Sequence, residues 1–207
     1  MFSYSKTTLA FYDFWVLGIS NRFIWKCPTS GLLALYNRRA SSNHLDCGVG
    51  TGFYLDRCSL PANPRVVLVD LNPEPLRRTA RRIRRYHPKT YLRSVLEPLA
   101  IEEERFDSIG LNYLLHCLPG DIRAKGVVFD HVAAYLNPGG TLFGSTLLHG
   151  GVERGAVAQR LMAFYNRRGI FCNAGDDLAG LRRELAARFQ ESHVQVAGCA
   201  ALFWARG

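Results

Sequence analysis

From residue 43 onward the chain alternates short apolar runs with segments of helical periodicity. His44-Leu45-Asp46-Cys47 predicts a short strand running into glycines. Arg65-Val66-Val67-Leu68-Val69-Asp70 predicts a second strand, β-branched, apolar on both faces and closed by an acid. Pro73 to Tyr86 predicts a helix, with Asn72 as its N-cap and Pro73 at its first position. Strands are expected at Thr90–Leu96, Phe106–Tyr113 and Thr141–Leu148, and a helix from Asp121 to Leu136 that stops at Asn137-Pro138-Gly139-Gly140. Helices near Val152–Arg168 and Asp176–Gln190 follow, then strands at His193–Ala197 and Ala201–Ala205. Strands apolar on both faces that alternate with helices specify a mostly parallel sheet covered on both sides. Only Gly198 and its neighbours separate the last two strands, too few residues for a helical crossover, so that pair is expected to be antiparallel.

Composition narrows the class. Of 207 residues, 48% are apolar and 12% aromatic, too rich in core-forming side chains for a disordered chain. No stretch approaches the roughly 20 uninterrupted apolar residues of a membrane span. Met1 to Ala10 lacks the apolar segment of a secretory signal. The six cysteines are scattered, with no CxxC pair and no histidine spacing suited to zinc, so no metal is expected and reduced thiols in a cytoplasmic compartment are the simpler account. Net charge is +9, much of it from Arg77, Arg78, Arg81, Arg82, Arg84 and Arg85. These arginines cover most directions of two helical turns and are read as a solvated helix face; the alternative is a docking face for a phosphate backbone.

The chemistry lies in Leu45-Asp46-Cys47-Gly48-Val49-Gly50-Thr51-Gly52, immediately after the first strand. Glycines at every second position permit positive φ and let the backbone lie against a ligand. A dinucleotide loop would place its third glycine at position 53, which is Phe53, and the Gly-Lys-Ser/Thr of a P-loop is absent. Asp46 would repel a pyrophosphate but suits a ligand with a cationic amino acid end. Asp70, at the tip of the second strand, can accept both hydroxyls of a ribose; alone it could equally be a strand-end cap. The chain from Asp46 to its last strand resembles the class I S-adenosylmethionine-dependent methyltransferases. The resemblance rests on the D-x-G-x-G-x-G loop, Asp70, the Leu96-Glu97 strand tip, the Phe106-Asp107 strand and the Leu136-Asn137-Pro138-Gly139-Gly140 turn.

The resemblance implies a Rossmann-like, seven-stranded, mostly parallel α/β sheet with an antiparallel C-terminal strand and helices on both faces. It implies S-adenosylmethionine as cofactor, with Asp46, Gly48, Gly50 and Gly52 along its methionine and ribose portion. Asp70 would hold the ribose hydroxyls, Leu71 and Leu96 would contact the adenine, and Glu97 would lie near the adenine amino group. Glu97 could instead belong to a solvated acidic turn with Glu102, Glu103 and Glu104. Asn112 would sit beside the reactive methyl. His116 is the candidate general base, or else a histidine that caps the next helix or plugs the loop; His149 is a second candidate on the acceptor side. Asn112-Tyr113-Leu114-Leu115 lacks the Asn/Asp-Pro-Pro-Tyr of enzymes that methylate exocyclic base amines or glutamine.

Residues 1–42 are expected to form a helical lid over a catalytic domain at 43–207, with the stretch 150–175 as a second covering piece. Tyr12 and Trp15 would either face an apolar acceptor pocket or pack on the sheet edge. Aromatic surface with few charges favours a small hydrophobic or aromatic acceptor, methylated on oxygen, as in compact methyltransferases of microbial natural-product pathways. A nucleic-acid modifier docking through Arg77–Arg85, or a methyltransferase fold with other chemistry, are the competing classes.

Overall fold

The computed structural model describes residues 20–207; Tyr12 and Trp15 lie outside them. A first helix, α1 (Thr29–Arg39), precedes β1 (Asn43–Cys47), α2 (Phe53–Arg57), β2 (Arg65–Asp70), α3 (Pro73–Arg82) and β3 (Lys89–Leu92). The second half runs β4 (Phe106–Asn112), α4 (Ile122–Lys125), α5 (Val127–Ala133), β5 (Leu136–Leu147), α6 (Ala156–Arg167), α7 (Leu178–Ala186), β6 (Glu191–Ala197) and β7 (Ala200–Arg206). The seven strands form one sheet in the order β3-β2-β1-β4-β5-β7-β6. β1 through β5 pair in parallel, while β7 is antiparallel to both β5 and β6. The expected hairpin is therefore present, and it closes the sheet at the edge opposite β3.

Alternation along each strand builds two cores. Val67, Val69, Ile109, Leu111 and Leu142 face α4, α5 and α7, whereas Val66, Leu68 and Phe143 face α1, α2, α3 and α6. Residues 20–42 join the second core: Trp25, Cys27, Leu32, Leu35 and Tyr36 are buried, and Cys199 N donates to Trp25 O at 2.8 Å. Four cysteines (Cys27, Cys47, Cys58, Cys199) are buried free thiols, the small-residue packing role their scatter suggested. No helix among the described residues is long and apolar enough to cross a membrane.

Several boundaries differ from the pattern reading. The 73–86 helix begins as expected, with Asn72 accepting from Glu74 N at 3.0 Å, but ends at Arg82. Ile83 turns into the core, and a 3₁₀ turn at Arg84–Tyr86 leads to left-handed His87 before Pro88. The helix expected over 121–136 is broken at Gly126, where any Cβ would collide with the Glu184 carboxylate of α7. β5 starts at Leu136, not after the Asn-Pro-Gly-Gly turn: Leu136 already pairs with Phe106, and the glycines bulge before Thr141 resumes opposite Ser108. β3 stops at Leu92, so Leu96 and Glu97 lie in the following turn, where Glu97 N donates to Ser94 O at 3.4 Å.

The excursion between β5 and α7 is pinned from below. His149 N and Gly150 N both donate to Asp176 O at 2.9 Å. The Asp176 carboxylate meets Lys125 Nζ at 2.6 Å, and the ammonium also donates to Cys172 O at 2.8 Å. Both side chains are fully buried, so removing one charge strands the other. Lys125→Met is expected to cost about 3–5 kcal/mol in equilibrium urea unfolding. Combining it with Asp176→Leu should recover most of that loss, since an apolar pair carries no desolvation penalty.

Candidate functional site

Parallel pairing brings the carboxyl ends of β1, β2, β4 and β5 to one edge, the place where open α/β sheets bind ligands. At the tip of β1 the chain turns through Gly48, Gly50 and Gly52, with φ of 71°, 52° and 71°. Gly48 N donates to Val69 O at 2.8 Å, which ties the turn to β2. Two of the glycines are packed from behind: a Cβ at Gly48 would lie 2.6 Å from Leu114 Cδ1, and one at Gly52 would lie 2.7 Å from Thr79 Cγ2. At Gly50 a Cβ would meet nothing within 4 Å. The turn is thus fixed on its inner side and open in front, a backbone cradle with room for a ligand.

α3 reinforces this turn. Thr79 Oγ1 donates to Gly50 O at 3.3 Å, and Arg82 donates to Thr51 O at 2.9 Å. Arg85 and Arg82 both pair with Asp56 on α2, at 2.6 and 3.5 Å. The basic run is therefore not one solvated face: part of it turns back onto the glycine loop, while Arg77, Arg81 and Arg84 remain exposed.

Asp46 lies buried beneath the turn. Its Oδ2 accepts from Tyr36 Oη at 2.7 Å and lies 3.3 Å from His44 Nε2. Asp70 stands at the tip of β2, half-buried, accepting from Asn72 N at 2.9 Å. Burial pushes its carboxyl upward while the Asn72 and Val49 amides pull it back. Leu71 beside it is 71% exposed, an apolar side chain presented on the edge. Asn112, at the tip of β4, is buried with its Oδ1 accepting from Ser145 Oγ. Asp46, the glycines, Asp70, Leu71 and Asn112 are thus brought together on adjacent strand ends. Leu96 is half-buried against the core and Glu97 is exposed, both past the end of the edge strand.

His116 is enclosed. Its ring lies edge-on to Phe171 at 4.6 Å and to Tyr113 at 5.6 Å, and Nδ1 lies 3.4 Å from Leu147 N, whose N–H it accepts. Burial, with the Lys125 charge adding to it, lowers this imidazole to about 3. His149 is half-exposed past β5, lowered by partial burial and by Arg154. Tyr113 adopts φ 52°, an unusual left-handed backbone for an aromatic residue.

Sequence reading missed Tyr36, His44, Ser108, Tyr54 and Tyr113. One signal was available: His44 and Asp46 put two polar residues on the same face of a strand that is otherwise buried. Among the described residues, the hydroxyls of Tyr54 and Tyr113 and the amide oxygen of Asn21 are buried without a well-formed hydrogen bond, Tyr113 standing beside Cys27. Unpaired buried polar atoms are costly, and Tyr54 neighbours Asn21 and Asn112. The open glycine turn and the carboxylate beneath it fit an adenosyl amino acid better than a purely apolar ligand.

Comparison with known proteins agrees. The family model described as "Methyltransferase domain" matches residues 45–142. Demethylluteothin O-methyltransferase of Streptomyces thioluteus is 40% identical over 201 residues, covering 97% of this chain and 87% of its own. The Physcion biosynthesis cluster O-methyltransferase of Aspergillus chevalieri is 38% identical over 202 residues, covering 97% and 91%. In fold, the chain resembles the N-methyltransferase NodS from Bradyrhizobium japonicum WM9, with a TM-score of 0.59, 21% identity and coverage of 86% and 93%. The chain belongs to the S-adenosylmethionine-dependent methyltransferases.

Proposed function

We propose that this enzyme methylates a hydroxyl oxygen of a small, hydrophobic or aromatic molecule. The observation that carries this reading is the aromatic enclosure next to Asn112. Phe171, from the excursion after β5, lies against His116 at 4.6 Å, Tyr165 at 4.9 Å and Trp25 at 6.0 Å, and Tyr113 completes the wall. The two relatives above, each matched over nearly the whole chain, are named for O-methylation. Lid residues within 1–42 and the piece 150–175 would meet over this region, Trp25 and Phe171 being their point of contact.

In this reading Asp46 and the turn Gly48–Gly52 hold the amino acid end of the cofactor, Asp70 its ribose hydroxyls, and Leu71, Leu96 and Glu97 its adenine side. When bound, S-adenosylmethionine supplies an electrophilic methyl on a sulfonium. The protein's share is alignment and exclusion of water beside Asn112, an effect worth roughly 7–11 kcal/mol for well-oriented partners. His116 acts as a neutral imidazole. With Nδ1 accepting from Leu147 N, its proton sits on Nε2, so it orients the acceptor by donating and does not remove the proton. The acceptor is then one whose own hydroxyl ionises readily, a phenol or an enol.

Two measurements test this. Asp70→Ala should weaken calorimetric binding of S-adenosylhomocysteine by at least about tenfold; unchanged affinity removes the ribose assignment. For His116, the pH profile of kcat/KM should follow the acceptor's ionisation and keep its shape in His116→Asn. Loss of an acidic limb near pH 6.5 in that variant would make His116 the base after all. The depressed imidazole also has a stability signature. Below 6.5 the unfolded chain takes up the proton while the folded chain resists it down to about 3, so stability is intact above pH 6.5 and falls toward pH 3. His116→Phe should flatten that part of the urea-midpoint curve.

A further inference from the structure

A chain of buried polar groups runs from the start of the sheet to Asp46. Ser41 N donates to Ser108 Oγ at 2.8 Å, Ser108 Oγ lies 2.8 Å from His44 Nδ1, and His44 Nε2 lies 3.3 Å from Asp46 Oδ2. Tyr36 donates to the same carboxylate oxygen at 2.7 Å. None of these bonds uses Asp46 Oδ1. Strand register produces the alignment: His44 lies opposite Ser108 and Asp46 opposite Gly110 in the parallel β1 and β4 pair, and period two puts all four on one face. Gly110 is demanded by it, since a Cβ there would lie 2.9 Å from Asp46 Oδ2 and 3.3 Å from His44 Cε1. Phe143 stacks on His44 at 5.7 Å and meets Tyr36 edge-on at 5.0 Å, sealing the relay.

We propose that Tyr36, His44 and Ser108 are positioning residues that fix Asp46 for the cofactor's α-ammonium, with His44 as the neutral Nε2–H tautomer. The proton order follows from the ends. A carboxylate only accepts, so Nε2 donates to it; with Nδ1 unprotonated, the Ser108 hydroxyl donates to it while accepting from the Ser41 amide, and Ser41 Oγ, 2.8 Å from Ser108 Oγ, gives its own proton to Asn43 O at 2.9 Å. The relay turns Oδ2 inward and leaves Oδ1 for the ligand. Its effect is selective: it strengthens binding of a ligand that carries the amino acid end and is indifferent to one that does not. The inference rests on the assignment of Asp46 to that end of the cofactor.

The test compares two probes, S-adenosylhomocysteine and 5′-methylthioadenosine, which keeps the adenosine and lacks the amino acid. By calorimetry, Tyr36→Phe and Ser108→Ala should each weaken the first by about five- to tenfold and the second by no more than about twofold. Equal weakening of both probes means the residues are merely structural, and no weakening of either means the relay is idle; each result overturns the proposal. Asp46→Asn separates the two levels of the argument. If it leaves the preference for S-adenosylhomocysteine intact, the assignment of Asp46 itself fails. If it abolishes the preference while Tyr36→Phe and Ser108→Ala keep it, the relay alone fails. An independent readout is the ¹⁵N spectrum of His44 in the wild-type protein, expected to show protonated Nε2 and unprotonated Nδ1. An imidazolium or the opposite tautomer contradicts the proton order.

Discussion

A carboxylate buried under a glycine turn must be hydrogen-bonded where it sits, because an unsolvated charge without partners is among the costliest groups a fold can hold. That requirement at Asp46 reaches through much of the molecule. It draws Tyr36 in from α1 and His44 from the same strand. It calls for a glycine on the neighbouring strand at position 110, and for Ser108 two residues earlier. Phe143 on β5 and the Tyr36 ring, itself stacked on Tyr54 at 5.4 Å, close the space around the relay. The docking of α1 is thus dictated as much by one oxygen atom as by the apolar residues Leu32 and Leu35 that accompany Tyr36.

The rest of the site follows from the geometry of a parallel sheet. Each strand delivers its last residue to the same edge, so Asp46, Asp70 and Asn112 become neighbours though far apart in the chain. Short connections and a tightly braced turn hold the proposed cofactor side still: Thr79 and Arg82 from α3 grip the carbonyls of Gly50 and Thr51. The proposed acceptor side is built differently. There Phe171 and Tyr165, from the segment after β5, pack on His116 and Trp25, and that segment hangs from the Asp176 carbonyl and the buried Lys125 pair. A fixed half for an invariant ligand and a separately anchored half for a variable one is a division of labour suited to this chemistry.

What could be read beforehand depended on the range of the interaction. The strands were legible because residues such as Val66 to Val69 are apolar on both faces, and the site because the glycine turn and Asp70 are local signals at strand ends. Asn72 capping its helix is local as well. The glycine at position 126 is not, since a side chain there would meet Glu184 on α7. The bulge at Pro138-Gly139-Gly140 reads as a turn until β4 is laid beside it and Leu136 is found already paired. Tyr36, Ser108 and Gly110 carry no motif at all; the β1 and β4 register sets Ser108 beside His44 and Gly110 beside Asp46, and the docking of α1 brings in Tyr36.

Two buried carboxylates among the described residues, Asp46 and Asp176, show why burial alone does not mark a binding group. Asp176 faces an ammonium at 2.6 Å, so its charge is cancelled inside the protein, and the pair presents almost no field to a ligand at the sheet edge. Asp46 is held instead by a phenol and an imidazole. Dipolar donors orient a carboxylate and lower the cost of burying it without neutralising it. Each carboxylate has one oxygen engaged, and Asp176 Oδ1 is buried with no hydrogen bond among the described residues. What differs is the partner: the first arrangement meets its charge with a cation and ties two loops to a helix, whereas the second is held by dipoles alone, beneath an open backbone turn. In the proposed reading a cation arriving there meets the Asp46 charge, which is the electrostatic reason a sulfonium amino acid with its ammonium would suit this crevice and a pyrophosphate would not.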